Sequence, residues 1–324
     1  MQAVLCTHFC KPEELELTDI PRPQAGPGEV LVRVKAAALN FFDTLIIAGK
    51  YQQKPPFPFS PAAEFAGIVE RIGDGVADIT VGDRVMGWMG WGAAREYVAA
   101  QPQQLVKISE NLDFERAAGL SVTYGTSLYA LRERAQLEHG ETLAVLGASG
   151  GVGLAAVELG KLMGARVIAC ASSDEKLKFT REHGADETVN YDSENLRDTL
   201  RRLGGEHGID VIYDPVGGPY AEPAVRSMAW EGRYLVVGFT AGEIPKLPLN
   251  LVLLRGCDIR GVFWGSWGKR EPQALRASLS DIAKWCAAGK LSGHVHAVYP
   301  LKEIAAAMKA IAARKVMGKI VLRV

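Results

Sequence analysis

The segment from Thr142 to Met163 constrains this chain most. Thr142–Leu146 is a continuous apolar run (TLAVL), Gly147–Gly153 reads GASGGVG, and Val152–Met163 carries apolar residues at helical spacing. A short apolar run of this kind is a strand covered on both faces. When it leads through glycines straight into a helix, it reads as the opening unit of a doubly wound parallel α/β sheet. The glycines fit the G-x-G-x-x-G turn, with Ala148 in the first slot and Gly150 and Gly153 in the other two. Without a side chain, Gly150 lets backbone N–H groups approach a pyrophosphate at the helix N-terminus, and Gly153 lets the helix pack close to its strand. Glycine-rich turns are common. Here the preceding buried strand, the following helix and a second strand ending about twenty residues on supply the context that a dinucleotide site requires.

The end of that second strand selects the dinucleotide. An NAD site places Asp or Glu there to bond the ribose hydroxyl. Here the strand Arg166–Ala169 runs into Cys170, Ala171, Ser172 and Ser173 with no carboxylate, and Lys176 falls in the first turn of a helix over Asp174–His183. Ser172 and Lys176 can donate to a 2′-phosphate that a carboxylate would repel, and each charge-assisted bond is worth roughly 1.5–3 kcal/mol. The cofactor expected is NADPH. The competing reading makes Lys176 a solvated helix lysine beside Asp174 and Glu175.

Strands at Asp210–Tyr213 and Arg233–Val237 continue the alternation, so a parallel sheet is expected from Glu141 to about Trp264. Before it, β-rich runs such as Val30–Lys35, Gly67–Ile72 and Asp83–Met86 are separated by Gly/Pro punctuation, the texture of a small barrel or sandwich. After it come a helical pattern over Leu275–Ala287, a run at His294–Tyr299, a helix over Ile304–Ile311 and a terminal strand Lys319–Val324.

Composition excludes several classes of function. The 324 residues carry 37 basic and 37 acidic side chains, so no basic excess marks nucleic acid as the main partner. The longest uncharged stretch, Thr142–Val157, is glycine-rich and shorter than the roughly 18–20 residues of a membrane span. Residues 1–17 contain Glu13, Glu14 and Glu16 and do not read as a secretory signal. The five scattered cysteines include no C-x-x-C pair, which fits a reducing cytoplasmic setting better than a disulfide framework.

Across nearly its whole length the chain resembles the medium-chain dehydrogenase/reductase superfamily, in its zinc-independent quinone oxidoreductase branch. The resemblance runs through Ala38–Thr44 (ALNFFDT), Glu64–Val69 (EFAGIV), Gly82–Val85 (GDRV), Val122–Ser127 (VTYGTS), the glycine loop, Gly184–Asp186 with Val189–Tyr191, and Gly318–Leu322 (GKIVL). Ser227–Arg233 and Phe263–Trp267 resemble the quinone oxidoreductase-like proteins most. It implies an α/β fold of two parts: a GroES-like β-rich domain from residues 1–122 and 265–324, and a Rossmann doubly wound parallel-sheet domain from 123–264. It also implies a homodimer, paired through an edge strand near Ile259–Phe263.

Zinc-dependent relatives hold their metal with a Cys, a His and a third Cys or acidic ligand. The first two positions correspond to Asn40 and Ala63, and an amide and a methyl group cannot build the N/S site that zinc prefers. His294 and His296 share a strand face without a third ligand and read as polar strand residues. No metal is expected. Without a Lewis acid, the chemistry left is hydride transfer to an electron-poor quinone or conjugated enone, for which orientation and a donor near the carbonyl oxygen suffice.

By the same resemblance, Asn40 lies beside the nicotinamide and bonds cofactor or acceptor, and Tyr51 offers a hydroxyl and a stacking face. Leu45 stands where some quinone reductases have a second tyrosine, and Tyr51 reads equally as a half-buried loop aromatic. The other implied cofactor contacts are Thr126, Gly150, Gly151, Val152, Ser172, Lys176, Tyr191, Gly238, Phe239, Phe263, Trp264 and Lys319. For Phe239 and Trp264 the alternative is core packing, for Tyr191 packing without a hydroxyl bond, and for Lys319 a surface charge. Two other functions stay open: an enoyl-thioester reductase, with Arg132, Arg134, Arg255 and Arg260 as candidates for CoA phosphates, and a nucleotide-binding protein with little catalysis.

Overall fold

The strand Val30–Leu39 organises the first of two units into which residues 1–324 of the computed structural model divide. That unit is Met1–Gly125 with Gly265–Val324; the second is Thr126–Trp264. Apart from Arg33 and Lys35 this strand is buried on both faces, because it has neighbours on both edges and a core against it. Glu64–Ile72 pairs antiparallel along one edge. On the other edge, Tyr97–Ala100 pairs with its first half and Lys319–Arg323 with its second. The sheet order is Val295–Pro300, Lys319–Arg323, Val30–Leu39, Glu64–Ile72, Arg84–Trp88 and Leu105–Lys107. The register sets Ala38 opposite Glu64 and Leu39 opposite Ile320. Asn40, Glu64 and Lys319 therefore meet at one end of three adjacent strands.

The second unit is a six-stranded sheet, parallel throughout, in the order Glu187–Asn190, Arg166–Ala171, Thr142–Leu146, Ile209–Asp214, Met228–Val236, Asp258–Gly261. Numbered by sequence the order is 3-2-1-4-5-6, the doubly wound pattern, with its switch point between Thr142–Leu146 and Ile209–Asp214. Leu143–Leu146 are wholly buried, as a strand sandwiched between helices requires. The helix Gly151–Leu162 packs Leu154, Ala155, Val157 and Leu159 inward. Ligands of such sheets bind outside the carboxyl ends of the strands at the switch point.

Two boundaries differ from the sequence reading. Thr123–Gly125 belong to the first unit, where the Tyr124 hydroxyl accepts the Gly293 N–H at 3.1 Å. The last strand covers Asp258–Gly261 and stops short of Phe263, and Trp264 opens a helix, Trp264–Arg270, instead of ending a strand. Val262 N–H still reaches Val236 O at 3.0 Å, but Val236 is the last residue of the neighbouring strand and pairing has nowhere to continue. No helix is long and apolar enough to cross a membrane.

Candidate active site

At the switch point, Gly147 turns the chain in the left-handed region (φ 59°) and Gly150 caps the helix Gly151–Leu162 with extended backbone. A Cβ on Gly153 would lie 2.2 Å from Gly147 O and 2.8 Å from its carbonyl carbon, so only glycine lets the helix approach the strand this closely. A Cβ on Gly150 would meet nothing nearer than Gly147 O at 3.5 Å; the fold does not require glycine there, and the space is open to a ligand. Gly151 and Val152, both half-buried, start the helix, where N–H groups have no intrahelical acceptor and the dipole favours an anion. The Ser127 hydroxyl donates to Val152 O at 2.8 Å and bonds the buried Tyr213 hydroxyl at 2.8 Å, pinning the helix start. Thr126 is half-buried beside it.

The neighbouring strand ends at Ala171, and Ser173 caps the next helix by accepting the Lys176 N–H. One turn of helix brings the Lys176 ammonium back over the strand end, 3.0 Å from the Ser172 hydroxyl. Tyr191 lies beside Ser172 and rests on Tyr220, with ring centroids 4.5 Å apart. Burial raises its hydroxyl pKa, so it stays a neutral donor. Ser172 and Lys176 from one strand end and Tyr191 from the end of the next thus lie in one cluster of donors.

Across the switch point, Asp214 holds the facing loop. It is 2% exposed; its Oδ1 accepts the N–H groups of Val216 (2.7 Å) and Gly217 (2.8 Å), and its other oxygen takes the Tyr234 hydroxyl. Gly238 follows the adjacent strand and bonds Asp214 O. Phe239 is 36% exposed and Phe263 53%, so neither is core, whereas Trp264 is buried at 5%.

In the first unit a buried polar cluster fills the strand ends. Lys319 is 5% exposed and is no surface charge; its ammonium donates to Leu39 O (2.9 Å), Asn40 Oδ1 (2.7 Å) and Glu64 Oε1 (2.7 Å). Asn40 Nδ2 also donates to Glu64 Oε1, at 2.9 Å, and Glu64 Oε2 accepts Val122 N–H at 2.7 Å, in the first turn of the helix Leu120–Leu128. Asn40 itself precedes the helix Phe41–Ile47, where Asp43 Oδ2 accepts the Asn40 backbone N–H at 2.7 Å. Asp43 is 1% exposed and its Oδ1 has no partner. Burial pushes its carboxyl up to about 7, against the pull of the Asn40 N–H and the Lys319 charge. Tyr51 is half-buried and stacks on Phe42, centroids 5.4 Å apart; desolvation, and secondarily the Asp43 charge, raises its hydroxyl pKa.

The candidate residues therefore fall into two groups. Asn40, Tyr51 and Lys319 lie in the first unit, and the rest line the carboxyl end of the parallel sheet or its approaches in the second. Glu64 and Asp214 had no assigned role from sequence. Glu64 did carry a signal, as the only charged residue between Lys54 and Glu70. The four arginines proposed for CoA phosphates do not form one group. Arg134 and Arg260 interlock through Gly261 O and Arg134 O, Arg255 donates to Arg226 O, and Arg132 pairs with Glu133.

A parallel sheet of order 3-2-1-4-5-6 with a glycine turn at its switch point, inserted into a β-rich unit built from both ends of the chain, is the architecture of medium-chain dehydrogenases and reductases. Two family models match: "Alcohol dehydrogenase GroES-like domain" over residues 26–110 and "Zinc-binding dehydrogenase" over residues 151–281. The chain is 38% identical over 323 residues to quinone oxidoreductase-like protein 2 of Rattus norvegicus, covering 99% of this chain and 91% of that one. It superposes on the quinone oxidoreductase of Escherichia coli complexed with NADPH with a TM-score of 0.92 at 25% identity, over 100% of both chains. An NAD-dependent alcohol dehydrogenase gives a TM-score of 0.92 at 32% identity, again over 100% of both. The chain belongs to the medium-chain dehydrogenase/reductase superfamily, in its quinone oxidoreductase branch.

Proposed function

We propose that this protein is an NADPH-dependent reductase that delivers hydride to a quinone or conjugated enone without zinc. The observation that carries the reading is the donor cluster at the end of Arg166–Ala171: Lys176 Nζ sits 3.0 Å from Ser172 Oγ, Tyr191 lies beside the same serine, and no carboxylate stands at the strand end. That set suits a 2′-phosphate and lacks the acid that an NAD ribose prefers. Gly150 leaves the N–H groups of Gly151 and Val152 accessible to a diphosphate. When bound there, NADPH supplies the hydride.

Zinc does not fit the first unit's cluster. Ala63 offers no donor atom, Asn40 gives an amide, and the Lys319 ammonium lies 2.7 Å from both Asn40 Oδ1 and Glu64 Oε1, where it would repel a second cation. No group of three or more His, Cys, Asp or Glu side chains elsewhere is placed to hold a metal. A neutral donor beside an ion pair suits an acceptor whose carbonyl oxygen gains charge as hydride arrives. The unpaired edge of Asp258–Gly261 supports a homodimer joined strand to strand, and a monomeric mass at micromolar concentration would overturn that part.

The test is steady-state NADPH oxidation by chelator-treated protein against small quinones, short enones and an enoyl-CoA. Turnover with the first two supports the reading. Turnover confined to the thioester replaces it with an enoyl-thioester reductase, and NADPH binding without turnover on any acceptor replaces it with a binding protein.

A further inference from the structure

Among Lys319, Glu64 and the Asn40 carboxamide every polar atom is partnered, and every N–H but one has an acceptor. An ammonium has three N–H donors, and those of Lys319 match three acceptors, Leu39 O, Asn40 Oδ1 and Glu64 Oε1. Both Glu64 oxygens are occupied, one by Lys319 and Asn40 and the other by Val122 N–H. Asn40 Oδ1 accepts from Lys319, and one of its two Nδ2 hydrogens goes to Glu64. The second Nδ2 hydrogen has no acceptor in the protein. The amide also cannot flip, since flipping would set Nδ2 against the ammonium and Oδ1 against the carboxylate. Asn40 retains 8% exposure.

We infer that Lys319 and Glu64 are positioning residues that lock the Asn40 carboxamide so that its free Nδ2–H is presented to the carbonyl oxygen of the acceptor. The inference rests on the reductase reading above and deepens it: the substrate class is a conjugated carbonyl compound, whose oxygen gains charge in the reaction and meets a donor already fixed before it arrives. Lys319 has no donor left for the acceptor or for the cofactor and acts only through Asn40. The Lys319 and Glu64 charges offset each other, so the bond offered is that of an oriented amide.

The test is a mutant cycle among Asn40→Ala, the charge-neutral pair Glu64→Gln/Lys319→Met, and the triple variant, with thermal melting to establish folding. Removing both charges together avoids leaving one buried ion alone, the change that costs folding most. Asn40→Ala should lower kcat on a quinone about 100-fold, within the range for one oxyanion donor. The Glu64→Gln/Lys319→Met pair should lower it at least about tenfold, and the triple variant should be no worse than Asn40→Ala, because the losses share one group. The Kd for NADPH should stay within about twofold throughout. Losses that multiply in the triple variant, or that appear in the Kd for NADPH instead of kcat, overturn the inference. A readout independent of turnover is the asparagine ¹⁵N–¹H spectrum, in which Asn40 should show one hydrogen-bonded Nδ2 proton and one that shifts on adding a quinol. If wild type does not turn over but that shift is seen, the reductase reading falls and the locked donor stands; absence of the shift in an active wild type sinks the locked donor alone.

Discussion

Replacing Gly150 and Gly153 by alanine, one at a time, separates cofactor binding from folding although the two lie in one loop. At Gly153 a new Cβ lies 2.2 Å from Gly147 O, about 1 Å inside any tolerable contact, and both partners are backbone. Overpacking of this kind costs about 1–3 kcal/mol, of which alanine's better helix propensity returns at most about 1. Because both partners are backbone the cost falls at the upper end of that range, and the net expectation is a loss of about 2 kcal/mol in urea unfolding. At Gly150 the nearest atom is 3.5 Å away and φ is −77°, ordinary for alanine; the poorer N-cap costs about 0.5–1 kcal/mol and the stiffer unfolded chain returns about 0.4–1, so stability should stay within about 0.5 kcal/mol. The methyl would instead stand where the diphosphate approaches the amides of Gly151 and Val152. Losing one charge-assisted bond costs about 1.5–3 kcal/mol, or roughly tenfold to more than a hundredfold in Kd. Titrating NADPH by its fluorescence, beside urea unfolding, reads both quantities. A Gly150→Ala protein that binds NADPH within twofold of wild type would refute the cradle, and a Gly153→Ala protein as stable as wild type would refute the packing argument.

Lys176→Ala should weaken NADPH about tenfold to a hundredfold and leave NADH nearly unchanged; equal weakening of both would show that Lys176 does not read the 2′-phosphate. Asp43 titrates near 7 when folded and near 4 when unfolded, so the native state holds the extra proton and stability falls as pH rises from about 4 through 7. Asp43→Asn keeps an acceptor for the Asn40 N–H without the titration, and should gain about 3 kcal/mol relative to wild type between pH 5 and pH 8 in urea unfolding. An offset that is the same at both pH values would count against the raised carboxyl. Treatment with EDTA should leave quinone turnover intact, with zinc by elemental analysis well below one per chain; loss of activity restored by zinc would reverse the metal assignment.

The parallel sheet was legible because its strands are buried on both faces and its turn is glycine-rich, signals that local sequence carries in full. Ser172 and Lys176 can be read from the strand end and the helix turn after it, whereas Tyr191 comes from resemblance; the structure brings the three side by side. The first unit's cluster was only half visible. Asn40 came from resemblance, while Glu64 went unassigned and Lys319 could be read as a surface charge, because their burial depends on pairing between residues hundreds of positions apart. A lysine at the start of a short terminal strand looks solvated until the register sets it against Leu39 and Glu64. The three-residue strand Leu105–Lys107 and the helix Trp264–Arg270 are likewise decided by neighbours; the aromatic run at Phe263 and Trp264 has strand composition and lacks a partner to pair with.

The strand Lys319–Arg323 also sets an order of assembly. Glu64 and its counter-ion are 255 residues apart, so at about 5–20 residues per second roughly 13–50 s separate their emergence from a ribosome. Through that interval the Ala36–Leu39 edge lacks its partner strand, and the Glu64 carboxylate must stay hydrated, which holds that end of the sheet open. The second unit is contiguous in sequence and has all of its strands by Gly261. Nascent chains should therefore acquire the nucleotide cradle while the first unit is still unlatched, with the arrival of one lysine closing the last gap.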